Sequence, residues 1–261
     1  MKTCVINAPY DNYAQLVQII DKLPESFDLR GDVLWDKRNV IKIFNYKDDE
    51  NNQRKIVIKR FKHANFIQKL IYAIRIHKAR KAYNNGLKFR AMDLPTPEPV
   101  AFVEFRHGPW LVDAYYISEA TSLRSIESEV DRDDWNRKLA TAFGQFVATL
   151  HSKGVLHHDL NDTNVLYDTD SAGNYRFEVI DINRMKFYDC GNDIPQKECI
   201  ENLTRFTGRI DLFEYVIRAY AAARNIKDIE AFAKSAVAQK RLHDLKWRRR
   251  KRFSKLFKHK K

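Results

Sequence analysis

His157-His158-Asp159-Leu160-Asn161-Asp162-Thr163-Asn164 is the stretch whose reading decides the fold, and Ile180-Asp181-Ile182-Asn183 is the segment that completes it. Asp159 and Asn164 share one short loop, so they can face opposite sides of a single reacting centre. Asp181 ends a second segment, Phe177-Glu178-Val179-Ile180, whose apolar residues predict a buried strand. The run Asn164-Val165-Leu166-Tyr167 reads as its hairpin partner, with Asp170-Ser171-Ala172-Gly173-Asn174 as the turn. Together these supply one acid placed to receive a hydroxyl proton and two hard oxygen donors placed to hold magnesium. That is the minimum equipment for moving a phosphoryl group from a nucleotide to an alcohol, where positioning and charge neutralisation do most of the work. A lone H-x-D would be an ordinary loop. Asn164 at its offset, the apolar hairpin and then Ile-Asp argue against coincidence. His157 reads as a packed structural residue rather than a base, and His158 is assigned no role.

Outward from this core, Asp133 to Ser152 carries Leu139, Ala140, Phe143, Phe146, Val147 and Leu150 at helical spacing, with Asp131 or Asp133 as the expected N-cap. Residues 199 to 237 also read as helical, with Leu203, Phe206, Leu212, Phe213, Val216 and Tyr220 apolar. Toward the N-terminus, residues 1 to 30 form a mixed lead-in with a short helix near Tyr13 to Leu23. From Val33 the pattern turns to strands. Val40-Ile41-Lys42-Ile43-Phe44 and Lys55-Ile56-Val57-Ile58-Lys59-Arg60-Phe61 make a hairpin around a polar turn. An apolar stripe of Phe66, Ile67, Leu70, Ile71 and Ile74 predicts a helix, and a second runs from Lys78 to Phe89. Pro95, Pro97 and Pro99 stop it, and Val100 to Glu104 and Tyr115 to Ser118 return to strand character.

Strands first and helices afterwards predict an α+β, bilobal, protein-kinase-like fold. Residues 1–118 are expected to form a small antiparallel-sheet N-lobe, 119–239 a mainly helical C-lobe, and 240–261 a basic tail. The loop fits the pattern H-R-D-L-x-x-x-N, with His158 in the arginine position. Alternation puts Lys59 on the face of Val57, where a lysine can bridge nucleotide phosphates as a point charge. On a strand well upstream of such a loop, phosphate binding is the stronger reading than a solvated edge lysine.

Charge is unevenly spread. The net charge is +13; residues 240–261 hold 12 Lys/Arg against one acid, Asp244, and residues 54–90 hold 12 Lys/Arg and no acid. The rest is an acidic body. Two basic segments with interleaved apolar residues point away from generic nucleic-acid binding, and nucleic acid is not the expected partner. No run approaches the roughly 18 apolar residues of a membrane span. The first residues lack a signal peptide's apolar core. Cys4, Cys190 and Cys199 show neither zinc spacing nor a disulfide framework, so a reducing, cytoplasmic setting is expected.

The chain resembles the lipopolysaccharide kinases that phosphorylate Kdo or heptose in the bacterial inner core. The resemblance covers roughly residues 30 to 215. It rests on Val57-Ile58-Lys59, Leu94-Pro95-Thr96-Pro97-Glu98-Pro99-Val100-Ala101, Tyr115-Tyr116-Ile117-Ser118-Glu119, the catalytic loop, and Ile180-Asp181-Ile182-Asn183-Arg184. The loop alone also fits aminoglycoside and choline kinase relatives. The resemblance implies ATP and Mg2+ as cofactors, Asp159 as catalytic base, Asn164 and Asp181 as metal ligands and Lys59 on the phosphates. It also implies a lipid-linked sugar acceptor, and a peripheral position at the inner face of the inner membrane.

The basic segments fit an anionic membrane surface: Trp247, Phe253, Leu256 and Phe257 lie amid Arg248 to Arg252, and Lys62, Lys69, Arg75 and Lys78 flank the first helix. The chain departs from the protein-kinase pattern twice. No G-x-G-x-x-G is present, leaving Trp35-Asp36-Lys37-Arg38-Asn39 as the turn over the phosphates. No helix glutamate is available for Lys59, and Asn84 stands near its expected place. A kinase of a small soluble alcohol or of protein Ser/Thr, and a catalytically silent binding protein of the same fold, remain open alternatives. So does a nucleic-acid binder using the tail, as the weakest reading.

Overall fold

The computed structural model describes residues 1–37, 39–61, 76–130, 132–189 and 193–258, with side chains up to residue 252. The chain divides into two compact units, Met1–Ser122 with Asp181–Arg184, and Leu123–Ile180 with Met185–Lys261. The expected helix over Phe66 to Ile74 with its flanking Lys62, Lys69 and Arg75, together with Arg38, Asp131 and Cys190, lies outside the described residues. So do the side chains of Phe253, Leu256 and Phe257.

The first unit is built on one antiparallel sheet. Its strands are β1 (Lys2–Ile6), β2 (Asp32–Asp36), β3 (Asn39–Lys47), β4 (Gln53–Phe61), β5 (Pro99–His107) and β6 (Trp110–Glu119), in the order β1-β5-β6-β4-β3-β2. β1 corrects the expectation of a mixed lead-in. Its five residues are mostly half-exposed and carry little apolar alternation, and pairing with β5 (Cys4 opposite Val103) makes the strand. The β3–β4 turn is held by Asp48, whose Oδ1 accepts from Asn52 N at 2.9 Å and whose Oδ2 accepts from Arg54 Nε at 2.9 Å.

Period-two alternation sorts the sheet into two faces. Ile56, Ile58, Val103, Tyr115 and Ile117 share a core with Leu16, Ile19 and Ile20 of α1 (Ala14–Asp21) and Phe27 of α2 (Glu25–Leu29). Phe61, Phe102, Ala114 and Tyr116 face the other way, against Ala79 and Tyr83 of α3 (Lys78–Ala91). α3 begins at His77, whose Nδ1 accepts from Ala79 N at 3.2 Å. Gly86 of α3 allows close approach: a Cβ there would lie 2.5 Å from Pro99 Cγ and 3.1 Å from Ile182 Cδ1.

The second unit is mainly helical. α4 (Glu127–Val130) precedes α5 (Arg137–Ser152), α6 (Gln196–Leu203), α7 (Ile210–Ala223) and α8 (Ile229–Lys258). Small sheets join β9 (Val165–Thr169) to β10 (Tyr175–Val179) and β7 (Arg124–Ser125), and β8 (Val155–Leu156) to β11 (Lys186–Phe187). The N-cap of α5 is Asn136, whose Oδ1 accepts from Leu139 N at 3.1 Å. The expected cap Asp133 lies before the helix and pairs instead with Arg209 at 2.6 Å. Gly144 brings α5 onto α7, since a Cβ there would meet Val216 O at 2.8 Å. Phe143 stacks on Phe206 at 4.0 Å, which ties α5 to the segment after α6.

α8 continues past residue 240 without a break. Phe232, Ala233 and Ala236 are buried, and Lys240 is too, with its ammonium 2.8 Å from Asp244 Oδ1. Lys240 is therefore a neutralised core residue, not part of the exposed basic surface. From Leu245 to Arg252 every side chain is exposed.

Candidate active site

In the first unit, β4 lies between β3 and β6, with Lys59 opposite Ile41 on one side and Tyr116 on the other. Alternation turns Lys59 to the Phe61 face, the face that α3 covers, and its ammonium sits 5.3 Å from the Phe61 ring centroid. Its acidic partner is Asp181, with Nζ 2.8 Å from Oδ1 and side-chain exposures of 15% and 32%. The structure thus brings these two expected site residues together.

Asp181 adopts left-handed backbone, φ +57°, which turns the chain sharply after Ile180. Asn183 Nδ2 also donates to Asp181 Oδ1. The 3-10 turn Ile182–Arg184 is tied to α3 by Asn85, whose Nδ2 donates to Ile182 O at 2.8 Å. Asn84, the residue expected near Lys59, is exposed; its neighbour Asn85 takes the inward position. The missing helix glutamate is thus replaced in two parts. Asp181 supplies the charge opposite Lys59, and a helix amide holds the backbone that carries Asp181.

In the second unit, β8 pairing with β11 fixes the chain entering the catalytic loop. His157 is fully buried and its Nε2 lies 2.8 Å from Ile180 O. A carbonyl only accepts, so Nε2 carries the proton and the ring is a structural tie. His158 is exposed, with φ +44°. Leu160 is buried and anchors the loop in the core. Asn161 Oδ1 accepts from Asn164 N at 3.1 Å and from Thr163 Oγ1 at 2.7 Å, capping the 3-10 turn Asp162–Asn164. Asn164 Nδ2 donates to Asp159 O at 2.9 Å, and Asn164 O accepts from Ile180 N at 3.0 Å. The β9–β10 hairpin then runs in register from Val165 opposite Val179, and Asp170 closes its turn by accepting from Ala172 N at 2.9 Å and Asn174 N at 2.8 Å.

Asp159 and Asn164 are thereby locked into one loop. The amide nitrogen of Asn164 is committed to the backbone, so its carboxamide oxygen is turned away from it. That oxygen and the Asp181 carboxylate are hard donors of the kind magnesium takes, so the donor chemistry fits the metal. Among the described residues no group of three or more His, Cys, Asp and Glu side chains could hold an ion. Magnesium bound through one or two protein oxygens and substrate phosphates needs no such group.

One contact of this loop escaped the sequence reading. Arg205 Nη1 donates to Asp159 Oδ1 at 3.0 Å, from 46 positions away. Of the expected phosphate-covering turn Trp35 to Asn39, Trp35 and Asp36 end β2, Asn39 begins β3, and Arg38 lies outside the described residues. Lys37 Nζ stands 4.5 Å from the Trp35 ring centroid.

The fold resembles that of a solved structure described as WaaP in complex with acyl carrier protein. That match has a TM-score of 0.56 and 18% identity, covering 91% of this chain and 99% of that one. A Rio2 kinase–ADP/Mg2+-phosphoaspartate complex from Chaetomium thermophilum matches with a TM-score of 0.47 and 13% identity, over 88% of this chain and 75% of that one. No curated protein matches the chain. The model of the lipopolysaccharide kinase (Kdo/WaaP) family matches residues 35–235, a span that takes in Lys59, Asp159, Asn164 and Asp181, and on this the chain belongs to that family and is a kinase, a phosphotransferase.

Proposed function

We propose that the protein transfers the terminal phosphoryl group of ATP to a sugar hydroxyl of a lipid-linked glycan, the Kdo or heptose of the lipopolysaccharide inner core. The observation that carries this reading is the locked catalytic loop. Asn164 holds the Asp159 backbone, and buried His157 holds the loop to Ile180, so the loop that bears the carboxylate is fixed before an acceptor arrives. Asp159 accepts the hydroxyl proton as the oxygen attacks. Asn164 and Asp181 are the side chains suited to hold Mg2+, which when bound neutralises charge on the phosphates. Lys59 steadies the phosphates as a point charge, with Asp181 as its partner in their absence.

A lipid-linked acceptor fits the distribution of charge. The exposed stretch Leu245 to Arg252 carries Lys246, Arg248, Arg249, Arg250, Lys251 and Arg252 beside exposed Trp247, a composition suited to an anionic bilayer surface. No helix among the described residues is long and apolar enough to cross a membrane.

The test compares glycolipid from cells making the wild-type protein with that from cells making Asp159→Asn. Mass spectrometry should show one phosphate fewer on a core sugar in the variant. With purified protein kcat should fall about 10²- to 10⁴-fold, the usual worth of a positioned general base. Identical glycolipids in the two strains would overturn the reading.

A further inference from the structure

Arg205 sits on the carboxylate that is to take the acceptor's proton, and its surroundings show that it is built to do so. The residues either side, Thr204 and Phe206, are each 1% exposed. Thr204 Oγ1 donates to Glu201 O at 2.7 Å, and Phe206 stacks on Phe143. The backbone under Arg205 is therefore anchored in the core of its unit, while the side chain is 46% exposed. Among the described residues its hydrogen-bond partner is Asp159, engaged through Nη1 alone. A guanidinium has five N–H donors in a planar fork matched to oxyanions. Most of that fork is unspent.

An exposed, single-point ion pair contributes little to stability, so a structural role explains it poorly.

We propose that Arg205 is the acceptor's anion-binding residue. It grips a carboxylate or phosphate group carried by the sugar near the reacting hydroxyl, and so sets that hydroxyl against Asp159. This rests on the glycan-kinase reading and adds to it that the acceptor is an acidic sugar, recognised through its charge.

The test crosses protein variants with acceptor forms. The acceptor is glycolipid extracted from cells making the Asp159→Asn protein, used as isolated, after reduction of its carboxyl groups, and after phosphatase treatment. With the native acceptor, Arg205→Ala should raise the acceptor KM about 10- to 100-fold, the worth of one or two charged hydrogen bonds. The KM for ATP should stay unchanged. Arg205→Lys should recover part of the loss, keeping the charge without the fork, and it serves in place of the alanine variant if that one fails to fold. On one of the two modified acceptors the wild-type protein should fall to the variant's level, with no further effect of the substitution. The carboxyl-reduced form behaving so assigns the anion as a carboxylate, and the phosphatase-treated form as a phosphate. An equal loss on all three acceptors, or a fall in kcat with KM unmoved, overturns the proposal. Failure of the wild-type protein to phosphorylate any form would instead sink the glycan-kinase reading itself.

Discussion

Asp181 and His158 both hold left-handed backbone, at φ +57° and +44°. Such backbone is disfavoured by roughly 1–2 kcal/mol for residues with a Cβ, though aspartate tolerates it better than most. His158 is the second case, since histidine too is enriched there. Its conformation turns the chain between His157, tied to Ile180, and Asp159, so the cost falls where the loop must reverse. Two other histidines make the protein sensitive to acid. His151 is buried between Tyr220 Oη, 2.9 Å from Nδ1, and Asn202 Oδ1, 2.9 Å from Nε2. Burial pushes its pKa from 6.5 down to about 4, against the raising effect of Asn202. Burial likewise pushes His77 down to about 3, helped by Lys78 and Arg106. Both are neutral when folded, so the unfolded chain binds their protons first as the pH falls. Stability is therefore full above about pH 6.5 and falls toward pH 4, each group contributing about 2 kcal/mol of loss between pH 7 and pH 5. Urea midpoints at those two pH values should differ less for His151→Gln than for the wild type; equal pH slopes would show that His151 does not titrate in this way. The catalytic loop, its hairpin and Lys59 were legible in the sequence because each is local or strictly periodic. Arg205 was not: nothing in a linear pattern connects it with Asp159 across 46 residues of chain.

At the scale of elements, the choice between Asn84 and Asn85 shows what periodicity cannot resolve. The buried face of α3 is Ala79, Ala82, Tyr83, Gly86 and Phe89, and three of these five have almost no side chain to mark a stripe. The phase of the helix is set by contact with the sheet, where Gly86 lets Pro99 and Ile182 close in. The cap of α5 was missed for a similar reason: Asp133, Asp134 and Asn136 are all competent caps, and tertiary pairing of Asp133 with Arg209 removes one of them. Gly86→Ala tests what the close contact does. An added methyl overpacks the site at about 1–3 kcal/mol, partly offset by about 1 kcal/mol of better helix propensity. Stability should change modestly. The methyl would press first on Pro99 and then on Ile182, next to Asp181, so kcat should drop tenfold or more, because small displacements of positioned groups are costly. Gly144→Ala is the contrast. Its methyl would press on backbone of α7 at Val216 O, so thermal stability should fall while the kcat of the folded fraction holds. Equal effects of the two substitutions on kcat would show that Gly86 does not act through Asp181.

Over the whole molecule, the net charge of +13 is unevenly spread between two basic segments and an acidic body. Residues 240–261 carry +11 and residues 54–90 carry +12, against −10 in the remainder. The helix of the C-terminal segment, α8, is 30 residues long, about 45 Å at 1.5 Å per residue. Its first turns are packed on α7, where Tyr220 stacks on Phe232, and its later turns expose Leu242, Leu245 and Trp247 with the arginines. A helix that is core at one end and basic at the other can tether the protein to an anionic surface without spanning it. Each Lys or Arg near such a surface is worth about 1 kcal/mol, and attraction of this kind is screened by salt. Replacing Arg248, Arg249, Arg250, Lys251 and Arg252 by glutamine keeps helix propensity and removes five charges. Sedimentation with phosphatidylglycerol vesicles should then weaken by more than about 100-fold, and the wild type should be released when salt is raised from about 0.1 M to about 1 M, where the Debye length shrinks to about 3 Å. Trp247 emission should shift to the blue on binding, because an aromatic at the interface leaves water. Binding to neutral phosphatidylcholine as strong as to the anionic lipid would remove charge as the cause. If the glutamine variant keeps its vesicle affinity, the tether lies elsewhere in the chain. If it loses vesicle binding yet phosphorylates detergent-solubilised glycolipid at the wild-type rate, α8 brings the enzyme to its acceptor and takes no part in the transfer.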